Sequence, residues 1–428
     1  MTIKVAERYN EIPQHPLAPF RAKLNAMIEE YERKRVRWYR LTGADTALTG
    51  HRNHALRDIL INVVKEGWDY YPTETTAVQD FKEAATVYQK RTHGVDYTPD
   101  DIIALPGAAA GYHVIHNAIL DPGDELVTID PVHYAAWPSS YMYYLKGRVV
   151  QVPMIEEEGW TTDIDALRKA INNKTKAIVI DNPNNPTGHI YSQKEMKTIV
   201  DLAGEHDILI ISDELYLSIT YDGNEAYSMA KVSGDVPVVA FTSFSKLFMC
   251  PGWRVGYMMF HDPQGKLKEV KKVCKALSET YGHPTQAIPL PILVAGTRSL
   301  LAMVKVHNEI ANAQEVKGPM DESMAMLSRL QRQRDYICKR ISDIDGVSVV
   351  KSMATLYMFP KIESFGKVWK TNEDFILDLM REEQVAFYTG SAYGEHTLGH
   401  FRTTVLNDIP TLEEAYNRLE RFMKKRLK

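Results

Sequence analysis

Four short apolar runs, at residues 126–129, 177–180, 208–211 and 238–241, constrain this chain more than any other feature of its sequence. Each is dominated by aliphatic residues and gives way to a loop rich in Asp, Asn, Ser, Pro or Gly. Continuous rather than alternating hydrophobicity marks strands buried on both faces. With helix-like segments between them, the runs predict a mostly parallel sheet covered by helices. One such segment carries Val78, Phe81, Ala85 and Tyr88 three and four residues apart and stops at Gly94. Open sheets of this kind collect ligands beyond the carboxyl ends of their strands. Asp130, Asp181, Asp213 and Ser243 fall there.

The last hundred or so residues read differently. A long polar helix is expected over 322–341, short strands over 347–350 and 356–359, and a terminal helix over 412–427. That pattern predicts an α+β second domain. The expected division is an N-terminal arm associated with the small domain (1–48), a large domain (49–318) and a small domain (319–428). Within the large domain, segment 282–318 stands out for Pro284, Pro289 and Pro291, followed by an amphipathic run over 298–316.

Composition narrows the function classes. Among 428 residues, 51 Lys+Arg face 55 Asp+Glu for a net charge of −4, so the basic excess of a nucleic-acid binder is missing and no such partner is expected. No apolar stretch is long enough for a membrane span. Residues 1–8 are charged and lack an apolar core, so no secretory signal is expected and the cytoplasm is the default. Cys250, Cys274 and Cys338 stand singly, which frames neither disulfides nor a zinc site and suits a reducing compartment. His396 and His400, beside Glu395, have a spacing a metal could use. The intervening Leu398-Gly399 and nearby Arg402 favour an ordinary loop, so no metal is expected. The basic tail 421–428 reads as a solvated helix end.

Three segments follow apolar runs and carry chemistry: DNPNNPTG at 181–188, SDELY at 212–216 and SFSKLFMCPGWRVGY at 243–257. Prolines and glycine in the first force a tight turn from which asparagine amides can point into a cleft. An aspartate ending a buried strand, as in the second, is desolvated and needs a cationic partner. The third brings two hydroxyls, a lysine and an arginine into one strand-to-loop passage. In this order and spacing, the three together resemble the class I and II pyridoxal-phosphate-dependent aminotransferases of fold type I. The resemblance runs from about residue 102 to the end.

The resemblance implies a mostly parallel, seven-stranded-type large domain plus a smaller α+β domain, with pyridoxal 5′-phosphate as cofactor. Lys246 matches the lysine that bonds the cofactor aldehyde and later carries the substrate's Cα proton, which requires a neutral amine. Asp213 matches the carboxylate paired with the pyridine nitrogen, and Asn185 and Tyr216 the pair that hydrogen-bonds the ring oxygen. Gly107, Ala108 and Ala109, leading into a helix, match the phosphate loop, with Ser243, Ser245 and Arg254 completing it. Arg402, in HFRTTV, matches the arginine that grips the substrate α-carboxylate, where Asn185 and Gly43 also border the substrate. Either His133 or Tyr134 is the ring stacked on the cofactor. Tyr71 resembles a tyrosine that reaches the neighbouring subunit's phosphate, which implies a homodimer.

Departures from the family pattern surround the substrate pocket. LTGAD at 41–45 stands for Gly-x-Pro, ATLY at 354–357 for Gly-Ala-aromatic, and only Pro284-Thr285-Gln286 survives of Asn-x-Pro-x-Gln. The strings LYMFPKI, HFRTTVL and PGWRVGY look nearest to the alanine and aspartate branch. The expected activity is therefore transfer of an amino group between an L-amino acid, alanine or aspartate favoured, and a 2-oxo acid such as 2-oxoglutarate. A lyase or synthase on the same scaffold is the alternative. A regulator retaining this domain would need a longer DNA-binding segment than the ~50 residues ahead of the sheet region.

Overall fold

The structure is a computed structural model. It describes residues 17–43, 46–49, 53–70, 75–133, 147–280, 287–304 and 319–427. The chain enters through the helix Ala18–Lys34 and a two-residue strand, β1 (Tyr39–Arg40). The central sheet follows, built from β2 (Ile102–Leu105), β3 (Glu125–Asp130), β4 (Arg148–Ile155), β5 (Thr161–Thr162), β6 (Thr175–Asp181), β7 (Leu209–Asp213), β8 (Val238–Ser243) and β9 (Gly256–His261).

Their order across the sheet is β2-β9-β8-β7-β6-β3-β4-β5. Strands β4, β3, β6, β7 and β8 run parallel, β9 is antiparallel between β8 and β2, and β5 is a short antiparallel edge. The four apolar runs are the inner strands β3, β6, β7 and β8, each extended by a residue or more into its polar end. The sequence pattern passed over β2, β4, β5 and β9. Of these, β4 alternates in burial because it lies near the sheet's edge, and β9 opens on Gly256 and carries two methionines.

Helices cover both faces of the sheet. The expected helix around Phe81 is Ala77–His93, and it ends at Gly94, whose φ of 68° is left-handed backbone that glycine adopts without steric cost. Ser192 caps Gln193–Glu205 by accepting the Glu195 N–H, and Asp408 caps Ile409–Arg426 through Thr411 N–H; each cap contributes about 1 kcal/mol.

A second core lies around Leu330, Ile337, Leu356, Phe387, Phe401, Leu412 and Tyr416. Its small strands are β10 (Val347–Ser348), β11 (Tyr357–Met358), β12 (Lys361–Ile362), β13 (Val385–Ala386), β14 (Tyr388–Thr389) and β15 (Phe401–Thr404). The two strand patterns expected at 347–350 and 356–359 are thus only two residues long each. Helix Pro319–Ser342 matches the expected polar helix. β1 pairs in parallel with β13, and Phe20 and Leu24 pack into the same core, which ties the N-terminal segment to this unit. Of the atypical segment, Leu290–Met303 is a helix; Pro284, the Thr285-Gln286 pair and residues 305–318 lie outside the described residues.

Several polar contacts join the two cores. The buried Asp130 carboxylate, ending β3, accepts the Glu395 backbone N–H at 3.0 Å and pairs with His396 at 3.4 Å. Glu156 meets Lys361 at 2.7 Å and His400 at 3.2 Å. The two histidines thus reach different carboxylates.

Candidate active site

The parallel strands bring their carboxyl ends to one edge of the sheet, and that edge faces the second core. Asp213 ends β7, and its carboxylate accepts the Tyr112 phenol and the Leu215 N–H, the latter at 3.2 Å. Tyr112 lies one turn into the helix Ala108–Ile119, so the same helix that begins at the glycine loop aims a phenol at Asp213. Burial pushes the Asp213 pKa up to about 6, against the pull of Tyr112, the Leu215 N–H and the Lys246 charge.

Beside it, β8 runs into a single turn of helix, Phe244–Leu247. Ser243 caps that turn, accepting the Ser245 N–H at 3.1 Å, and its hydroxyl lies 2.9 Å from the Val255 carbonyl. The turn presents the half-buried Lys246, whose Nζ is 6.0 Å from the centre of the Tyr216 ring. The Tyr216 and Tyr357 rings meet edge to face with centres 6.1 Å apart. Burial alone would raise the Tyr357 pKa, yet Lys246 and Arg402 hold it below the ordinary phenol value.

The third feature is a seat at a helix start. Gly107, at φ 89°, precedes Ala108–Ile119, whose first N–H groups have no intrahelical acceptor. A Cβ at Gly107 would occupy the space taken by the Arg254 guanidinium. A Cβ at Gly256 would stand 2.7 Å from the Thr242 carbonyl oxygen and 3.1 Å from Ala108 N. Among the described residues Arg254 donates only to the carbonyls of Pro251 (3.0 Å) and Pro106 (3.3 Å), so its charge has no anionic partner. Free N–H groups, a helix dipole and an unneutralised guanidinium converge on one point, and the two serines stand nearby.

Opposite, the second core contributes Arg402, 6% exposed. Its Nη1 donates to Asn185 Oδ1 at 3.2 Å and its Nη2 to the Thr42 carbonyl at 2.9 Å, while Nε has no partner among the described residues. Strand periodicity explains the surroundings. In β15, Arg402 and Thr404 share a face, and their cross-strand partners are Tyr388 and Tyr357. The guanidinium carbon is 3.8 Å from the Tyr357 ring centre, 5.0 Å from Tyr393 and 5.5 Å from Tyr388. Aromatic faces stabilise a cation without neutralising it, and no carboxylate pairs with Arg402 among the described residues.

The structure thus gathers Lys246, Asp213, Tyr216, Asn185 and Arg402 into one cleft, with Gly107, Ala108, Ala109, Ser243, Ser245 and Arg254 at its floor. Gly43 adjoins the Thr42 carbonyl that holds Arg402. His133, just past β3, donates its backbone N–H to the Asn185 carbonyl at 2.7 Å, and its ring lies 6.3 Å from that of Tyr393. Burial, then the Arg402 and Lys246 charges, push its pKa down to about 3, so the ring is neutral. Tyr71 and Tyr134 lie outside the described residues. Tyr357 is the aromatic of the ATLY string expected beside the substrate pocket, whereas Tyr112, Tyr388 and Tyr393 were not expected at the site. Only for Tyr112 was there a signal, its place four residues into the helix that follows the glycine loop.

A parallel sheet whose carboxyl ends face a second core, carrying a half-buried lysine and two arginines that no carboxylate pairs among the described residues, is the arrangement of an α/β enzyme suited to anionic ligands. A family model described as aminotransferase class I and II matches residues 65–419, and the chain belongs to that family. It is 29% identical over 356 residues to the glutamate-pyruvate aminotransferase AlaA of Haemophilus influenzae, covering 81% of this chain and 83% of that one. With the aspartate aminotransferase of Bacillus subtilis it shares 28% over 372 residues, 86% and 87% of the two chains. Among solved structures, an alanine aminotransferase from Pyrococcus furiosus superposes with a TM-score of 0.86 at 34% identity, covering 99% of this chain and 100% of that one.

The protein is a pyridoxal-phosphate-dependent aminotransferase. The residues present fit the cofactor: a phosphate matches the seat formed by the helix start and the otherwise unneutralised Arg254, and a buried carboxylate and a lysine lie within the same cleft.

Proposed function

We propose that the chain transfers an amino group between an L-amino acid, with alanine or aspartate as donor, and a 2-oxo acid such as 2-oxoglutarate. The observation that carries this reading is Arg402, a buried cation held between aromatic rings with no carboxylate partner among the described residues, across the cleft from Lys246. A planar guanidinium with one nitrogen unengaged suits a carboxylate gripped at two points. Pinning that carboxylate fixes the substrate's orientation, so that the Cα–H bond rather than the bond to the carboxylate is the one positioned to break.

The remaining roles follow from position. Bound in this cleft, pyridoxal phosphate supplies an aldehyde that accepts the amino group and a ring that draws electrons from Cα. Its phosphate would rest on the N–H groups following Gly107, at Ala108 and Ala109, with Ser243, Ser245 and Arg254. Asp213 would pair with the ring nitrogen and keep it protonated, and Asn185 and Tyr216 would hold the ring oxygen. His133, neutral and flat, is the described candidate for stacking on the ring. Lys246 Nζ would hold the aldehyde at rest and would take the Cα proton of a bound substrate. The Tyr357 phenol lies within the reach of the Lys246 charge, which lowers its pKa.

Two separate cores support the division into arm (1–48), large domain (49–318) and small domain (319–428). With Arg402 and Lys246 on different cores, closure on substrate completes the site. A homodimer accords with the assignment of Tyr71 to a neighbour's phosphate. A cytoplasmic location accords with free Cys250, Cys274 and Cys338.

The test is a half-reaction on cofactor-loaded protein. Alanine or aspartate alone should bleach the cofactor's visible band once and leave pyridoxamine phosphate, and 2-oxoglutarate should restore the band. Sustained release of pyruvate and ammonia without an oxo acid would instead identify a lyase.

A further inference from the structure

Asp181 ends β6 directly beside Asp213, the two being register partners on adjacent parallel strands. Register partners project from the same face of a sheet, and neighbouring strands are about 4.8 Å apart, so the two carboxyl groups interact through space. Both are buried, at 3% and 8% exposure. Two negative charges this close in a site shielded from water cannot both persist.

The surroundings decide which group keeps a proton. Asp213 accepts the Tyr112 phenol and the Leu215 N–H and faces the Lys246 charge, all of which favour its ionised form. Among the described residues no side-chain donor or cation supports Asp181, the nearby backbone N–H groups of His133 and Asn185 alone favour its ionisation, and its Oδ1 is buried with no hydrogen-bond partner. The other titratable groups facing the pair are no substitute for a cation. His133, from the loop after β3, is neutral. Tyr191, beyond the turn that follows β6, holds its proton well above the ordinary phenol value. Glu214, next along β7, is a buried acid pushed up to about 7.

We propose that Asp181 is a positioning residue that keeps its proton beside Asp213, so that the pair carries one negative charge and that charge resides on Asp213. Burial and the neighbouring Asp213 both hold the Asp181 acid well above the ordinary carboxylate range, in keeping with this assignment. The proposal rests on the reading of Asp213 as the partner of the cofactor's ring nitrogen. Were Asp181 to ionise, the proton would be drawn to Asp213 and the charge facing the ring would be lost.

Infrared difference spectra of the cofactor-free protein at mildly alkaline pH test where the proton is. They are best taken in a Glu214→Gln background, which removes the other high-pKa acid of the site. The carbonyl stretch of a buried protonated acid should be present in that background, absent after Asp181→Asn and retained after Asp213→Asn. A band that survives Asp181→Asn and vanishes with Asp213→Asn overturns the proposal. If the Asn variant does not fold, absence of the band in the Glu214→Gln protein alone overturns it.

Loaded protein separates the two readings. With ¹⁵N-labelled cofactor, Asp213→Asn should move the ring-nitrogen resonance to its unprotonated position, and failure to do so sinks the Asp213 reading whatever Asp181 does. Asp181→Asn should leave the resonance in the protonated position. Loss of that proton would mean that Asp181 supplies charge instead of holding a proton, and would refute the proposal.

Discussion

Replacing Arg402 by Gln removes one charge from the middle of the cleft and little else. Glutamine's amide can still donate to Asn185 Oδ1 or the Thr42 carbonyl, so the contacts at 3.2 and 2.9 Å that fix the native side chain are partly kept. Relief of a buried, unneutralised cation offsets the lost stacking on Tyr357, so the fold should hold. What disappears is the fork that grips a carboxylate. Hydrogen bonds to charged groups contribute about 1.5–3 kcal/mol each, and losing two corresponds to a ~10²–10⁴-fold fall in kcat/KM. Arg402→Lys retains the charge over the tyrosine ring but not the planar fork, and should recover part of the loss. The assay is the rate of the amino-donor half-reaction, measured with the amino acid and with the matching amine that lacks the carboxylate. The native protein should favour the acid strongly, and the Gln variant should nearly lose that discrimination while binding cofactor normally. If Arg402→Gln keeps kcat/KM within tenfold and still discriminates, Arg402 is not the carboxylate seat.

Three further outcomes are expected. Lys246→Ala should shift the cofactor's visible band to that of the free aldehyde and stop turnover; a native spectrum and rate in this variant would refute the site as a whole. Gly256→Ala presses a methyl against the Thr242 carbonyl and Ala108 N, both backbone, at an over-packing cost of about 1–3 kcal/mol. Its helix content should be native while cofactor affinity, read by dialysis and absorbance, falls at least tenfold. Asp130, raised by burial to about 6 against the pull of His396, contributes stability that is present at low pH and lost as pH rises through about 6. His396, raised by its bond to Asp130, loses its contribution in the same direction. Denaturation of the cofactor-free Asp130→Asn variant should therefore show a shallower decline between acid and mildly alkaline pH, by about 3 kcal/mol for the Asp130 part. Parallel pH profiles for the two proteins would count against a strained carboxylate at this junction.

The chemistry-bearing residues were legible wherever local sequence dictates local geometry. Asp213 and Ser243 fall at the carboxyl ends of apolar runs because a buried strand must become polar where it leaves the core, and Lys246 follows in the turn that Ser243 caps. Gly94 ends its helix as the pattern predicts. The strands that were missed lack such a signal. β9 is antiparallel and opens on a glycine whose reason is Ala108 and Thr242 pressed against it from distant stretches of chain.

The sequence by itself determined the parallel sheet, the positions of Lys246, Asp213 and the Gly107 loop at strand and helix ends, and, through its motifs, the family. Each of these rests on contiguous residues, whose conformation follows from propensity, burial pattern and turn chemistry. Only the tertiary structure decided the neighbours of those residues. Arg402 gains its cage because β11, β14 and β15 pair so that tyrosines 357 and 388 lie across from Thr404 and Arg402. Asp181 gains an acid partner because β6 and β7 align in one register. Pairing register, unlike strand formation, is set by contacts between segments far apart in the chain, and the charges it brings together govern which of these groups holds a proton.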